Sequence, residues 1–274
     1  GGSSNAATGL DDVHYHVLIP PENIKEALKL LLDLLLFPVI NENEFHTEKQ
    51  VVLEEISQNI DQPDEIAYMK LFECCFSPHR YARPILGYKK TVQGITPEQM
   101  KLFHRNHYVG ENCALCIAGE LPKEIYSIIN NSKLKELKNI KKPNLNNKSI
   151  FKKGYKKESI PRLEGGRIIK AWELPPAKNQ QLILGAELAA SILCEGRSSI
   201  MVKKLREELR IIESIEIDLQ ILEQGGLILL EVSCSIENLE VVETQINTIL
   251  NESIINLIHK KDIERARKLV TNNI

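Results

Sequence analysis

A duplication restricts the fold of this chain more than any other feature. A strand-like run, Val13 to Ile19, leads through Glu22-Asn23 into an apolar helix, and Leu227 to Ile236 leads through Glu237-Asn238 into another. The two asparagines stand 215 positions apart. The next helices align after a small insertion, with Phe45 opposite Ile263 at an offset of 218. A strand followed by two helices cannot bury its apolar faces alone, so its repetition predicts two similar domains. At 274 residues the chain is long enough for both. The expected class is α+β: two homologous domains, each an antiparallel sheet packed by helices. In the second half, strands near 167–174, 211–222 and 227–236 are expected, the last two joined through Gln224-Gly225-Gly226, a hairpin signal.

The two copies are expected to occupy residues 1–132 and 158–274, joined by a connector over 133–157. That connector holds ten lysines against one acid, Glu136, with Pro143 and several asparagines, the composition of a solvated linker. It offers almost no aromatic side chains for base stacking. The chain as a whole carries a formal charge of −2, so nucleic acid is not an expected partner. Neither is a membrane: the longest apolar run, Leu30 to Ile40, is short and broken by Asp33 and Pro38.

The copies differ where chemistry could reside. Glu44 to Ile56 reads as a helix capped by Asn41 or Asn43, with Phe45, Val52 and Ile56 on one side. Glu48 and Glu55, seven residues apart, share one of its faces about two turns from each other. The second copy puts Ala266 and Asn273 at those places. It keeps the scaffold and drops both carboxylates. Mere solvation would tolerate any charged residue, and Ala266 is not one. Two readings stay open: a solvated acidic face, or an inward stripe in which one glutamate ligates a cation and the other braces it.

Other candidates are weaker. His14 and His16 share a strand face but lack a third ligand in register, and His104 and His107 read as a helix-end pair. Cys113 and Cys116 have redox or zinc spacing but sit in an apolar run to Gly119 that reads as a buried strand. All six cysteines are therefore expected to be reduced and structural. Ser77 to Gly87 is a polar loop suited to a rim or lid. Thr96-Pro97-Glu98-Gln99 is a capping box. The chain opens on Gly1-Gly2-Ser3 without an initiator Met, which reads as an excised piece. Few cysteines and no visible targeting segment lean towards the cytoplasm without fixing a compartment.

Taken together, Gly2-Ser3-Ser4-Asn5-Ala6-Ala7-Thr8, Tyr15, the Glu48/Glu55 pair, the Cys113 to Gly119 run and Gly196-Arg197-Ser198-Ser199 followed by Lys204-Leu205-Arg206-Glu207-Glu208 resemble the insulinase/pitrilysin family of zinc metallopeptidases, which includes the mitochondrial processing peptidases. The resemblance implies a zinc cofactor and a metalloendopeptidase acting on peptides or unfolded polypeptide segments. A second homologous half or subunit would close the cleft. In that family an HxxEH motif supplies two histidine ligands and the general-base glutamate, and a later helix supplies a distal glutamate. By position the distal metal ligand is Glu55, braced by Glu48. Ser4, Asn5, Ala6 and Ala7 match the edge strand that pairs with extended substrate. No HxxEH occurs in these residues; the family places it, with the general base, upstream of Gly1. These residues alone are therefore expected neither to hold zinc nor to cleave, and the second domain, ending inside a helix, is expected to be incomplete. The alternative is a non-catalytic homologue that binds peptides or scaffolds a partner.

Overall fold

The computed structural model describes residues 2–138, 149–256 and 258–272. The middle of the lysine-rich connector, with Pro143 and its asparagines, lies outside them, and so does Asn273. The chain forms two compact units. One takes residues up to Gln62 and from Pro84 to the connector; the other takes Pro63–Arg83 and the residues beyond the connector.

The first unit opens with an antiparallel hairpin, β1 (Ser3–Thr8) and β2 (Val13–Leu18), in register from Ser3 opposite Leu18 to Thr8 opposite Val13. A 3-10 turn at Pro21–Asn23 feeds α1 (Ile24–Leu36), which buries Leu28 and Leu32. Next comes α2 (Glu42–Ile60). Its cap is Asn41, whose side-chain oxygen accepts the Glu44 amide at 2.8 Å, and its buried stripe is Phe45, Leu53 and Ile56. α3 (Pro63–Phe76) belongs to the other unit. α4 (Lys89–Gly94) sets Val92 against Leu53 and Ile56 of α2. Lys49 fastens the same pair of helices by donating from Nζ to the Gln93 and Ile95 carbonyls, each at 3.1 Å. α5 (Pro97–His107) starts on the expected capping box, with Thr96 and Gln99 bonding each other's backbone, and α6 (Ile125–Asn130) follows.

The second unit is built on a three-stranded antiparallel sheet in the order β3 (Gly166–Leu174), β5 (Gly226–Cys234), β4 (Ser214–Gln220). α7 (Gln180–Cys194) and a π-helical stretch, Val202–Glu208, lie between β3 and β4; α8 (Leu239–Asn256) and α9 (Lys260–Asn272) follow β5. Leu230, Val232 and Cys234 alternate onto one face of β5 and bury themselves with Met201, Leu205, Val242 and Ile246. The middle strand is largely apolar on both faces, with Leu227 and Leu229 also buried; Glu231 and Ser233 are its polar side chains.

The duplication is visible in the elements. β1–β2, the turn Pro21–Asn23, α1 and α2 recur as β4–β5, the turn Ile236–Asn238, α8 and α9. Each turn is a 3-10 turn ending on the asparagine that marked the repeat in the sequence. The fold is the mixed helix-and-antiparallel-sheet class the pattern predicted.

Two features depart from the sequence pattern. Cys113 to Gly119 is not a strand. Its backbone enters extended (Cys113 φ −119°, ψ 139°), but it joins no ladder among the described residues, and Cys113, Ala114, Leu115 and Cys116 are exposed. Apolar, β-prone residues become a strand only beside a partner that completes the hydrogen bonds, and β1–β2 does not lie alongside them. The compact units also cut across sequence order. Residues 63–83 pack with the second sheet, because Asp64, Tyr68, Phe76 and Tyr81 find their partners or their burial there.

Candidate functional site

α2 places the two glutamates. At about 100° per residue, a seven-residue step brings Glu48 and Glu55 within about 20° of each other around the helix. Both flank the stripe taken by Phe45, Leu53 and Ile56. Both are exposed, and among the described residues neither makes a hydrogen bond or ion pair. The carboxylates therefore line the edge of the buried stripe and not an inward one. Apolar side chains hold the inward positions, and a carboxylate there would lose its hydration without gaining a partner. The backbone at 55 is nonetheless well held, with Leu53 at 7% exposure on one side and Ile56 at 4% on the other. The second copy is different in kind: Ala266, the counterpart of Glu48, is fully buried in α9, which packs against α7.

Ser4, Asn5, Ala6 and Ala7 form the middle of β1, opposite Val17, His16, Tyr15 and His14. All four are exposed, and the other edge of β1 carries no ladder among the described residues. The Ala6 amide donates to the Asn5 side-chain oxygen at 2.9 Å. The hairpin closes tightly at its open end: a Cβ on Gly2 would stand 2.7 Å from the Leu18 carbonyl oxygen and 2.8 Å from Ile19 Cγ2. A shallow, open depression lined by Gly2, Ser3, Leu18, Ile19 and Pro20 lies there.

Sequence reasoning missed a polar link behind the hairpin. The hydroxyls of Tyr15, on β2, and Tyr108, just past α5, are 2.7 Å apart. Burial first, then Tyr15, raises the Tyr108 phenol well above its ordinary pKa, so it stays neutral. The His104 ring stacks on Tyr108 with centroids 4.2 Å apart, and its Nε2 lies 2.6 Å from the Leu35 carbonyl, so Nε2 carries the proton and donates it. β2, α5 and α1 are thereby tied together. No local signal marks two tyrosines 93 positions apart as a pair.

The other candidates read as structural. His14 and His16 are exposed, with ring centroids 6.0 Å apart, and His14 Nδ1 sits 3.5 Å from Asp12. His107 stacks on Phe103. The loop after α3 is anchored: Tyr81 is fully buried, its hydroxyl accepts the Gln224 amide at 3.1 Å, and His79 Nε2 meets the Gln224 side chain at 3.0 Å. Among the described residues, no three His, Cys, Asp or Glu side chains come together in a way that could hold a metal ion. They do not by themselves fit zinc. No helix of the described residues is long and apolar enough to cross a membrane.

Comparison with known proteins places the chain in a family. Residues 1–89 match the family model for insulinase (peptidase family M16), and residues 94–270 match the model for the peptidase M16 inactive domain. An uncharacterized zinc protease of Rickettsia felis is 26% identical over the whole chain, which spans 66% of that relative's length. A probable mitochondrial-processing peptidase subunit beta of Arabidopsis thaliana is 28% identical over 124 residues, 45% of this chain and 23% of that one. The crystal structure of a protease from Helicobacter pylori superimposes with a TM-score of 0.81 at 20% identity, covering all of this chain and 68% of that one. With these models matched in order over residues 1–89 and 94–270, the chain belongs to the insulinase, or M16, family of peptidases.

Proposed function

We propose that these residues form part of a zinc-dependent metalloendopeptidase, in which Glu55 is the distal metal ligand, Glu48 steadies it, and the free edge of β1 takes up extended peptide. One observation carries this reading. α2 buries Leu53 and Ile56 and leaves Glu55 exposed and unpaired, whereas the duplicated helix fills the Glu48 position with a buried alanine. An ordered backbone with a free carboxylate is what an ion completed by other ligands needs. One carboxylate is not a zinc site, so these 274 residues alone hold no stoichiometric zinc and cleave nothing.

The exposed edge of β1 supports a substrate class. An exposed edge of small residues accepts a strand through backbone hydrogen bonds without selecting for bulky side chains, which suits unfolded polypeptide. An incoming strand would compete with the Asn5 side chain for the Ala6 amide. A second homologous half or subunit would close over it.

The test is Glu55→Gln in the full-length protein, read by zinc content and peptide cleavage. Loss of both is expected; unchanged zinc and unchanged cleavage overturn the assignment. A second reading is a non-catalytic homologue that binds peptides or supports a partner. Metal-free full-length protein that still binds unfolded peptide would select it.

A further inference from the structure

We propose that Lys49 is a positioning residue for Glu55: by docking on the end of α4 it decides which face of α2 is buried, and so turns Glu48 and Glu55 outwards. The proposal rests on the reading of Glu55 as a metal ligand, but the orientation it describes can be measured without metal.

Lys49 stands where an amphipathic helix calls for an apolar side chain. Phe45, Lys49, Leu53 and Ile56 follow one another at helical spacing, and the other three are buried. Lys49 is half-buried between exposed Glu48 and Gln50. Its Nζ donates to the Gln93 and Ile95 carbonyls at the end of α4 and lies 5.4 Å from the Phe45 ring centre. The ammonium thus meets carbonyls that α4 cannot satisfy itself. α4 has six residues, too few to hold a helix alone. It keeps its place through Lys49 and through Val92, which packs on Leu53 and Ile56. α2 is therefore fastened at two heights, beside Glu48 and beside Glu55. One contact would let a helix roll; two along one stripe do not. Glu48 and Glu55 each precede a residue of that stripe, Lys49 and Ile56, by one position, about 100° round the helix. Fixing the stripe fixes both carboxylates.

The second copy shows that such a helix can settle the other way. At the offset of 218, Lys49 falls on Arg267, Glu48 on Ala266 and Phe45 on Ile263. In α9 Ala266 is fully buried, Arg267 is exposed and Ile263 is 42% exposed, the reverse of α2. The buried face has moved by about one residue step, roughly 100°. Each copy docks a cation on the end of a neighbouring helix, but from a different place. In α9 it is Arg265, the counterpart of Thr47, whose guanidinium donates to the Glu195 and Ser191 carbonyls at the end of α7. The roll goes with the docked cation. Lys49 turned inward leaves the carboxylate beside it outside; Arg267 left outside goes with a buried Ala266.

The test uses the full-length protein. Lys49→Met removes the ammonium and keeps the stem and the helix propensity, so the fold should survive; Lys49→Arg keeps the charge. In metal-free protein, Lys49→Met is expected to speed hydrogen exchange of amides 48–56 and 89–95 about fivefold, with α1 and α5 unchanged, and Lys49→Arg to stay near wild type. Zinc affinity should fall about tenfold in Lys49→Met and recover in Lys49→Arg. Leu28→Ala, which thins the core under α1, should lower the melting temperature without moving zinc affinity. Zinc affinity within about twofold of wild type in Lys49→Met, or an equal loss in Leu28→Ala, overturns the positioning role. Glu55→Gln separates the two ideas. If it loses zinc and Lys49→Met does not, only the positioning role falls. If it keeps zinc, the ligand reading falls, and wild-type exchange in Lys49→Met would remove the docking as well.

Discussion

Arg265 reinforces the end of a helix. α7 finishes at Cys194, where the Glu195 amide reaches Ser191 O at 3.1 Å and the carbonyls beyond it run out of helical amides. From α9, the Arg265 guanidinium donates to Glu195 O at 2.6 Å, to Ser191 O at 3.0 Å and, more weakly, to Ile192 O at 3.4 Å. A hydrogen bond from a charged donor contributes about 1.5–3 kcal/mol, and a cation at a helix C-terminus adds about 0.3–1 kcal/mol. Arg265 is only partly buried, and water can replace part of what it supplies. Arg265→Ala should therefore cost about 2–3 kcal/mol, out of the ~5–15 kcal/mol typical of a folded domain. Trp172, the single tryptophan, lies on β3 in the same unit and reports its unfolding in urea. With a slope of ~1–3 kcal/mol/M, the midpoint should fall by about 1 M at unchanged slope. Arg265→Lys should recover about half, since one ammonium cannot span the same carbonyls. A midpoint shift below about 0.2 M, or an equal shift from the exposed neighbour Arg267→Ala, would refute the reasoning.

Other expectations follow from burial and charge. At pH 8 a thiol reagent should label Cys74, Cys113 and Cys116 in the native protein, while Cys75, Cys194 and Cys234 react only on unfolding; rapid native labelling of Cys194 would contradict its burial. Burial pushes the Cys194 thiol up to about 12, so the folded state keeps a proton that the unfolded chain loses near 9. Its share of stability is whole below pH 9 and falls as pH rises towards 12, and Cys194→Ala should flatten that alkaline loss in a melting series. Lys156 and Lys70 hold the Glu158 carboxyl down to about 2, so its contribution is present above about 4.5 and lost as pH falls from there. Glu158→Gln should remove that part of the acid limb, and a profile unchanged between pH 4.5 and 2 would show the pairing to be idle. Gly196 follows α7 at φ +81°, so Gly196→Ala should cost about 1 kcal/mol in thermal unfolding through backbone strain alone.

What could be read from the sequence was whatever the chain decides locally. Asn41 and Thr96 announce helix starts because a side chain two or three residues from an orphan amide satisfies it with no help from elsewhere. Gln224-Gly225 announces a hairpin because Gly225 adopts φ +126°, a conformation other residues resist. The duplication was legible because the same local grammar, strand, 3-10 turn ending on asparagine, helix, helix, is written twice. The failures share the opposite cause. Cys113 to Gly119 has strand chemistry, but a ladder belongs to two segments. The allegiance of residues 63–83 turns on Glu231, 163 positions from Tyr68, whose burial makes sense only beside Tyr68 and Arg167. Glu55 lies between these cases. Its place on the helix was legible; its orientation was not, because periodicity fixes which residues share a face and leaves open which face the rest of the molecule will cover. The comparison of copies supplied what periodicity could not. Ala266 is buried in one copy and Glu48 exposed in the other, so the same helix was closed on one side of the duplication and left open on the other. That difference between the copies is the observation on which the proposed ligand role of Glu55 rests.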